Sequence, residues 1–379
     1  MNLSKRVNSI TPSKSIEFSS KVTLLKSQGK KILELNVGET DFKTPLPILE
    51  ATQKALMENK TRYSPVDGIP ELRDKIAENY NKFNQNISKD HVFIGSGSKH
   101  ILYNIFQVIC DDDDEVIIPS PYWVTFPETV KLAGGKPIFV DTIRHQLDLT
   151  KIEKAITKKT KAILINSPNN PTGAVYPKED LSELVHLAKK YDLFIISDEA
   201  YEKITYDSIE HSSISTLSEE AFKRTLTVQT FSKAYSMTGF RIGYLIAPLE
   251  IVNAIKKLQG HLSGNPCTFA QYGPIAALEM KKEELQENLL KLQRRRDLAY
   301  SLFSQIFDCQ KPQGGLFLFL RIKKGSFSSC EEMAEYILNN AGVALLPGKA
   351  FGVKNYLRLS FATSEETIKE AFKKIKEIL

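Results

Sequence analysis

Short apolar, β-branched runs alternate with helical patterns through the middle of the chain. Helical spacing of apolar residues marks residues 99–109, 127–135 and 178–192, and these stretches lie between the runs. Strands that alternate with helices predict a mostly parallel sheet with both faces covered. The predicted strands are 92–97, 115–120, 136–141, 161–167, 193–198, 225–231 and 240–247.

The pattern changes after about residue 270. A long charged helical stretch at 281–307 is followed by apolar runs at 317–322, 343–348 and 356–362, without regular alternation. Such an order is typical of a smaller α+β domain. We therefore predict an N-terminal arm with a small-domain segment, a large cofactor-binding domain and a small C-terminal domain, with the bounds 1–45, 46–275 and 276–379.

Composition narrows the class of protein. The 379 residues are 42% hydrophobic and 25% charged, with a net charge of +6 that is dispersed along the chain. Since no Lys/Arg block with interleaved aromatics stands out, we expect no nucleic-acid partner. The N-terminus lacks the apolar core of a signal peptide, and no stretch approaches ~18 apolar residues, so we expect no membrane partner and a cytoplasmic protein.

Metal chemistry is not indicated either. None of the cysteines forms a CxxC unit or has paired histidines at ligand spacing, which is typical of reduced cytosolic thiols. The acidic run at 111–114 lacks the glycine of a calcium loop and is interpreted as a solvated turn. The four cysteines are Cys110, Cys267, Cys309 and Cys330.

Polar side chains follow several of the predicted strands. Ser98, Asn170, Asp198 and Lys233 each come directly after an apolar run or a turn at its end. In parallel sheets, ligands bind beyond the carboxyl ends of the strands. Each residue alone is typical of a loop charge, an N-cap or a turn, but together they predict a ligand-binding site.

The chemistry of these residues fits one kind of cofactor. A desolvated Lys233 is a neutral amine that forms a Schiff base with an aldehyde. The Thr230 and Ser232 hydroxyls, the Arg241 guanidinium and the helix N-terminus in GSGSKH (95–100) provide an anion site for a phosphate.

The remaining groups suit a flat heterocycle. An ionised Asp198 pairs with a protonated ring nitrogen, Asn170 and Tyr201 hydrogen-bond a phenolic oxygen, and Trp123 stacks on the ring. A lysine anchor, a phosphate site and a pyridinium partner are what pyridoxal 5′-phosphate requires.

Eight motifs, in order along nearly the whole chain, resemble the class I/II aminotransferases of pyridoxal-phosphate fold type I. The subgroup is similar to the bacterial aspartate aminotransferases. The resemblance implies an α/β fold: a large domain with a mostly parallel seven-stranded sheet between helices, and a smaller α+β domain. The motifs are NVGETDF (36–42), TRYSPVDGIPELR (61–73), GSGSKH (95–100), SPYWVTFPE (120–128), NSPNNPTGAVY (166–176), SDEAYE (197–202), SKAYSMTGFRIGY (232–244) and YLRLSFAT (356–363).

The resemblance implies a role for each matching position. Lys233 would carry the Schiff base and shuttle the proton, and Asp198 would pair with the pyridine nitrogen. Tyr201 would contact the phenolic oxygen of the ring. Arg358 would bind the substrate carboxylate. The other cofactor-binding residues would be Gly97, Ser98, Lys99, Trp123, Asn170, Thr230, Ser232, Arg241 and Tyr63, with Gly38, Trp123 and Asn170 also contacting substrate.

Tyr63 would reach the phosphate of the other subunit's site, so the resemblance implies a homodimer with shared active sites. Two positions depart from the family pattern. Thr230 stands where Gly or Ser is usual, which keeps a hydroxyl but adds bulk. Phe240 stands where Trp is frequent, which is a packing change.

The substrates are an amino acid and a 2-oxo acid, with aspartate and 2-oxoglutarate favoured by the subgroup. A dicarboxylate needs a second cation, for which Lys14 and Lys99 are candidates. Phe18 and Tyr63 would instead suit an aromatic or broad-range enzyme, including one that uses prephenate. A β-lyase of the same fold would share the lysine, aspartate and phosphate site.

Two further classes are disfavoured by the sequence. A regulator that senses pyridoxal phosphate carries a fused DNA-binding domain, for which the first few dozen residues leave no room. A P-loop interpretation of GSGSKH fails because that loop needs the spacing GxxxxGK[ST].

Overall fold

The computed structural model describes residues 3–81, 86–322 and 327–379. Within these ranges the chain forms three sheets, of seven, three and two strands. Numbered in chain order, the strands are β1 Leu33–Glu34, β2 Val92–Gly95, β3 Glu115–Ser120, β4 Lys136–Asp141, β5 Thr160–Asn166, β6 Phe194–Asp198, β7 Thr225–Thr230, β8 Gly243–Ile246, β9 Phe317–Arg321, β10 Val343–Ala344, β11 Leu346–Pro347 and β12 Tyr356–Ser360.

Helices cover the sheets and form the N-terminal arm. In the described part of the chain they are α1 Lys5–Ser9, α2 Lys14–Ser27, α3 Leu46–Met57, α4 Pro70–Asn81, α5 Ser98–Ile109, α6 Thr125–Leu132, α7 Leu149–Ala155, α8 Lys178–Lys190, α9 Glu219–Arg224, α10 Leu249–Leu262, α11 Tyr272–Glu279, α12 Lys282–Phe303, α13 Cys330–Ala341 and α14 Glu365–Ile378. No helix among these combines the length and the apolar character that crossing a bilayer requires.

The large sheet has the strand order β2-β8-β7-β6-β5-β3-β4. Only β8 runs antiparallel to its neighbours, so the other six strands share one direction. This confirms the mostly parallel seven-stranded sheet. The carboxyl ends of the six strands therefore meet at one edge.

The core lies on both faces of this sheet. Ile195 and Ile196 of β6 are fully buried, and they belong to separate apolar clusters because successive strand residues point to opposite faces. One cluster packs α5 through Ile105 and Phe106, and the other packs α8 through Leu184. Each such side chain contributes about 1.5–3 kcal/mol by leaving water.

A second, smaller part of the molecule is built around the three-stranded sheet. Strands β9, β11 and β12 form an antiparallel sheet in the order β11-β12-β9, and α12, α13 and α14 pack on it. The run predicted as one strand at 343–348 is two strands, because β10 pairs with β1 while β11 pairs with β12. The chain changes sheets at Leu345, so one continuous strand is impossible there. The predicted domain bounds stay a prediction.

Other predicted elements are shorter in the structure. The strand predicted at 240–247 begins only at Gly243, because Thr238–Phe240 forms a 3₁₀ turn and Arg241 adopts φ 56°. The helix predicted at 127–135 is α6, which ends before Gly134 at φ 85°. Helix α12 ends at Phe303 rather than at 307.

The N-terminal arm is attached to both parts of the molecule. The backbone N–H and the hydroxyl of Thr11 donate to Glu128 on α6 at 2.9 and 3.0 Å. Val22 of α2 is fully buried against Leu338 and Ala344. These contacts hold α2 across the carboxyl edge of the large sheet, over the cavity described next.

Candidate active site

A cavity of about 740 Å³ lies at the carboxyl edge of the large sheet. Asp198 ends β6, Asn170 follows β5 by four residues and Lys233 follows β7 by three. The parallel strands bring these residues together, as the sequence predicts. Of the predicted site residues, those that line the cavity are Gly38, Ser98, Lys99, Trp123, Asn170, Asp198, Tyr201, Lys233 and Arg358.

Lys233 points its amine into this cavity. Nζ donates a hydrogen bond to the carbonyl oxygen of Gly38 at 2.8 Å. The pKa of Lys233 is lowered to about 8, mainly by burial and also by the cations Arg358 and Arg241. The charge of Glu39 acts in the opposite direction. A large fraction of the amine is therefore neutral near pH 8, which a nucleophile or a base requires.

Asp198 is 3% exposed and accepts one hydrogen bond, from the backbone N–H of Ala200 at 3.1 Å. Burial raises the pKa of Asp198 to about 7; the hydrogen bond from Ala200 opposes this and Glu199 adds to it. The buried carboxylate lacks a strong cationic partner among the described residues apart from Lys233. A cation placed against it would hold it ionised.

Arg358 of β12 is bound from two directions. Nη1 donates to Asn170 Oδ1 at 3.0 Å, and Nη2 donates to the carbonyl oxygen of Asn36 at 2.7 Å. Its guanidinium lies 4.0 Å from the ring centroid of Phe317 and 4.9 Å from that of Phe351. Nε is buried without a partner among the described residues, so the group retains a donor for an anion.

Burial lowers the pKa of Arg358 to about 10, although Tyr201 opposes the change. The arginine is therefore charged at neutral pH in a site with little water. Charge-assisted hydrogen bonds to a carboxylate are strong in such surroundings.

The rings of Tyr201 and Trp123 line the cavity with apolar surface, and each ring carries one polar group at its edge. Tyr201 is 5% exposed, and burial raises the pKa of its hydroxyl well above the ordinary range, so it stays a donor. Trp123 packs edge-on against Phe126, and Lys99 Nζ lies 5.2 Å from its ring centroid. Both rings have the size and polarity to hold a flat ligand.

The anion site is predicted at the start of α5. Gly97 is the N-cap at φ 83°, so the N–H groups at Ser98 and Lys99 begin the helix without intrahelical partners. A Cβ on Gly97 would collide with the Arg241 guanidinium. Nearby, the hydroxyls of Thr230 and Ser232 lie 2.8 Å apart.

Some predicted residues lie outside the main cavity. Arg241 and Lys14 line a second cavity of about 680 Å³, which Lys99 shares with the first. Tyr63 is 98% exposed, and Phe18 packs against the apolar clusters around α2. Gly97, Thr230 and Ser232 line neither cavity. These placements leave the assigned roles as predictions.

The sequence analysis missed part of the cavity wall. Helix α2 lines it with hydroxyls at every fourth position, namely Ser15, Ser19, Thr23 and Ser27. That spacing is visible in the sequence, because i and i+4 share a helix face. Phe317 and Phe351, which enclose Arg358, lie far apart in sequence and gave no such signal.

Similarity to known proteins agrees with this geometry. A family model described as aminotransferase class I and II matches residues 30–375. An aspartate aminotransferase of Bacillus subtilis is 41% identical, with 100% of this chain and 99% of that protein covered. A probable aspartate/prephenate aminotransferase of Aquifex aeolicus is also 41% identical, covering 100% and 98%.

Solved structures show the same fold. The aspartate aminotransferase from Thermus thermophilus with maleate superposes with a TM-score of 0.96 at 37% identity, covering 100% of both chains. That of Thermotoga maritima gives 0.93 at 37% identity and 99% coverage of both. The chain belongs to the class I and II aminotransferase family.

Proposed function

We propose that this aminotransferase uses pyridoxal 5′-phosphate and moves an amino group from L-aspartate to 2-oxoglutarate by a ping-pong mechanism. The observation that carries the proposal is one cavity that buries Lys233, Asp198 and Arg358 together. The three groups come from different strands or their following loops. Each has the charge that one part of the reaction needs.

The residues present fit the cofactor. Among the described residues, the buried carboxylate of Asp198 has no strong cation beside it other than Lys233. The start of α5 leaves N–H groups for a phosphate, and any side chain at Gly97 would collide with Arg241. Asn170 Oδ1 accepts from Arg358, which leaves its Nδ2 to donate to a ring oxygen. When bound, pyridoxal phosphate supplies an electron-accepting ring that stabilises negative charge at the substrate Cα.

The chain itself binds substrate and moves the proton. Arg358 holds the α-carboxylate through Nε, which has no partner among the described residues, and through an adjacent Nη–H, and so fixes the direction of the Cα–H bond. The neutral amine of Lys233 takes the Cα proton, because burial has lowered its pKa to about 8. Asp198 presents its carboxylate to the ring nitrogen, and the Trp123 wall excludes water.

The preference for aspartate rests on Lys99. It lines the same cavity as Arg358 and Lys233, and it adds a cation that a side-chain carboxylate would neutralise. Burial and the charge of Arg241 lower the pKa of Lys99, which means that its charged form is disfavoured. A carboxylate beside Lys99 would stabilise that charged form. Lys14 lies in the second cavity, and Lys99 is therefore the better candidate. The names of the bacterial relatives agree with this preference.

We further propose a homodimer with shared active sites, in the cytoplasm. Tyr63 is 98% exposed, as expected of a side chain that serves a neighbouring subunit. Leu46, Leu56 and Met57 on nearby α3 are also exposed apolar residues. The four cysteines are free thiols, which suits a reducing compartment.

The visible spectrum of the purified protein tests the cofactor and the donor together. We expect a yellow band that bleaches on addition of L-aspartate and returns with 2-oxoglutarate. Equal bleaching by L-phenylalanine would favour an aromatic or broad-range enzyme. Absence of the band after pyridoxal phosphate is added would refute the proposal.

Product analysis separates transamination from elimination. An aminotransferase given aspartate alone stops after the first half-reaction, with one 2-oxo acid released per site, whereas a β-lyase acting on its own substrate keeps releasing ammonia and pyruvate without a 2-oxo acid. Continued ammonia release without an acceptor would therefore support the lyase and contradict transamination.

A further inference from the structure

A second group of charges is buried directly behind Asp198. The next residue, Glu199, is fully buried, and its backbone N–H donates to Val228 of β7 at 2.9 Å. His211, which follows in the loop before α9, places Nε2 3.2 Å from Glu199 Oε2 with its side chain 7% exposed. This is the only ion pair that Glu199 makes within the described ranges.

Neutral donors complete the surroundings of the Glu199 carboxylate. The hydroxyls of Ser197 and Ser213 donate to Oε1 at 3.0 and 2.9 Å, and Gln229 Nε2 donates to Oε2 at 3.1 Å. A carboxylate with several donors and no exposure is held in one orientation. Glu199 therefore stays fixed directly behind Asp198, whose pKa its charge raises.

Gln229 connects this carboxylate to a second one. The same Nε2 lies 3.1 Å from Glu202 Oε2 and 2.7 Å from the Tyr80 hydroxyl, and Tyr244 donates to Gln229 Oε1. Glu202 has its own cation, because Lys203 Nζ lies 2.8 Å from it. Glu199 depends on His211 for the same compensation.

The charges of this cluster balance only when His211 is protonated. Glu199 and Glu202 are then matched by Lys203 and His211, whereas a neutral imidazole leaves one excess negative charge next to Asp198. The titratable and charged groups that face the cluster, from all of the elements packed on it, are Asp198, Glu199, Glu202, Lys203, His211, Tyr80, Tyr235 and Tyr244.

We propose that protonated His211 neutralises Glu199 and thereby holds Asp198 in the ionised form that a cationic ring nitrogen requires. Glu199 and His211 are positioning residues that act through Asp198. The inference rests on the proposed function, because it takes Asp198 as the partner of the cofactor. Nothing in the proposed catalytic steps uses these two residues otherwise.

The electrostatics support this assignment. Burial lowers the pKa of His211, but the charges of Glu199 and Glu202 outweigh burial and leave the pKa raised. Both ring nitrogens are buried without a well-directed hydrogen bond in the described part of the chain, so the 3.2 Å approach of Nε2 to Glu199 acts through charge. Glu199 in turn raises the pKa of Asp198. Loss of the imidazolium therefore favours protonation of Asp198, which would remove the partner of the ring nitrogen.

The first test is a histidine titration of the holoenzyme by NMR, with His211→Gln used to assign the signal. We expect His211 to titrate above its ordinary value of 6.5. A titration of His211 at or below 6.5 would overturn the proposal. This result does not depend on the substrate. A protein that binds no pyridoxal phosphate would refute the proposed function while leaving the titration measurable.

The second test compares variants that remove one or both charges of the Glu199–His211 pair. The two readouts are the acid limb of the pH profile of kcat/KM and the cofactor affinity at pH 6 and 8. His211→Gln leaves Glu199 uncompensated and should raise the acid limb by about one pKa unit, with roughly tenfold weaker cofactor binding at pH 6. The double variant keeps the site neutral. In Glu199→Gln, burial is no longer opposed by Glu199, so the pKa of His211 falls and loss of its proton keeps the site neutral there too. Both variants should therefore retain an acid limb near that of the wild-type protein.

Rescue of His211→Gln by Glu199→Gln is the outcome that a purely structural role would not give. Two independent packing defects would add, and the double variant would then be the worst. An exposed histidine on α8 provides the control, and His186→Gln should leave both readouts unchanged. An acid limb that stays in place in His211→Gln would overturn the proposal.

Discussion

At the residue scale, burial acts on the two central charges of the cavity in the same sense: it favours the neutral form of each. Lys233 has its pKa lowered to about 8, and Asp198 has its pKa raised to about 7. Both groups therefore change charge close to neutral pH. A bound ring with a cationic nitrogen and a dianionic phosphate would separate the two roles, ionising the acid while the amine stays free to act.

The raised pKa of Asp198 has a consequence for stability. With the pKa moved from 3.8 to about 7, the folded protein holds this proton more tightly than the unfolded chain does. Below pH 4, where Asp198 is protonated in the folded and the unfolded protein, the carboxyl does not lower the free energy of unfolding. The free energy of unfolding falls as the pH rises, and above pH 7 the loss is complete at roughly 4 kcal/mol.

In cofactor-free protein, Asp198→Asn should therefore be more stable than the wild-type protein at pH 8 and nearly equal to it at pH 4. Urea unfolding at the two pH values measures the difference. The exposed Asp112→Asn is the control, for which we expect no such trend. Equal pH dependence in wild type and Asp198→Asn would show that the Asp198 carboxyl is not desolvated.

Arg358 should not tolerate a change to lysine. Lysine keeps the charge but cannot donate to Asn36, Asn170 and a substrate carboxylate together. We expect kcat/KM for aspartate to fall by about 10²-fold, as judged from steady-state kinetics. Arg321→Lys, on the same small sheet but 59% exposed, should change it less than twofold. Similar losses in both variants would contradict the assigned role.

Much of the residue-level prediction follows from strand ends. Asn170, Asp198 and Lys233 could be placed together because parallel strands deliver their carboxyl ends to one edge. Phe317 and Phe351 could not be placed, since their contact with Arg358 depends on how two sheets pack. The contacts around Glu199 were equally hidden, because at least five segments far apart in the sequence supply them.

At the scale of elements, the start of α5 combines two constraints. Gly97 has φ 83° and ψ 162°, a conformation that side chains other than glycine adopt only with strain of about 1–3 kcal/mol. The Arg241 guanidinium occupies the space that a Cβ would need. The helix N-terminus and the arginine are therefore close enough to bind one anion together.

Gly97→Ala should lower both stability and cofactor affinity. We expect a loss of about 1–3 kcal/mol in the free energy of unfolding and at least tenfold weaker binding of pyridoxal phosphate in an equilibrium titration. Gly260→Ala is the matched control, because a Cβ there, in the last turn of α10, meets nothing within 4 Å. That variant should be neutral or slightly stabilising. Unchanged affinity in Gly97→Ala would argue against a phosphate at this helix.

Sequence patterns located the elements better than their ends. The periodicity of α8 and α12 is strong, and both helices were predicted within a few residues. At 343–348 the apolar run is continuous, so nothing local shows that β10 and β11 join different sheets around Leu345. The αL conformation of Arg241, which delays β8, is likewise set by its contact with the turn before it.

At the scale of the molecule, the proposed role of the exposed Tyr63 in the neighbouring subunit's site would leave the site of an isolated chain incomplete. Variants that are each inactive for a different reason should therefore complement each other. Lys233→Ala lacks the amine, and Tyr63→Ala lacks the side chain given to the neighbour. In a mixed dimer, the subunit with an intact Lys233 receives an intact Tyr63.

Refolding the two variants together should restore activity to about a quarter of the wild-type value, because half of the dimers are mixed and each has one complete site. Each variant refolded alone gives the baseline, and refolding Lys233→Ala with Arg358→Ala is the control, since both changes lie in one subunit's own site. Restoration no greater than in that control would show that Tyr63 does not act across subunits.

The position of Trp123 gives the protein an optical property. It is the only tryptophan in the chain, and it stands in the wall of the cavity beside Lys99. Indole emission from this protein therefore comes from one place. Quenching on cofactor binding and recovery on its release should follow occupancy of each site in real time, without a label and without turnover.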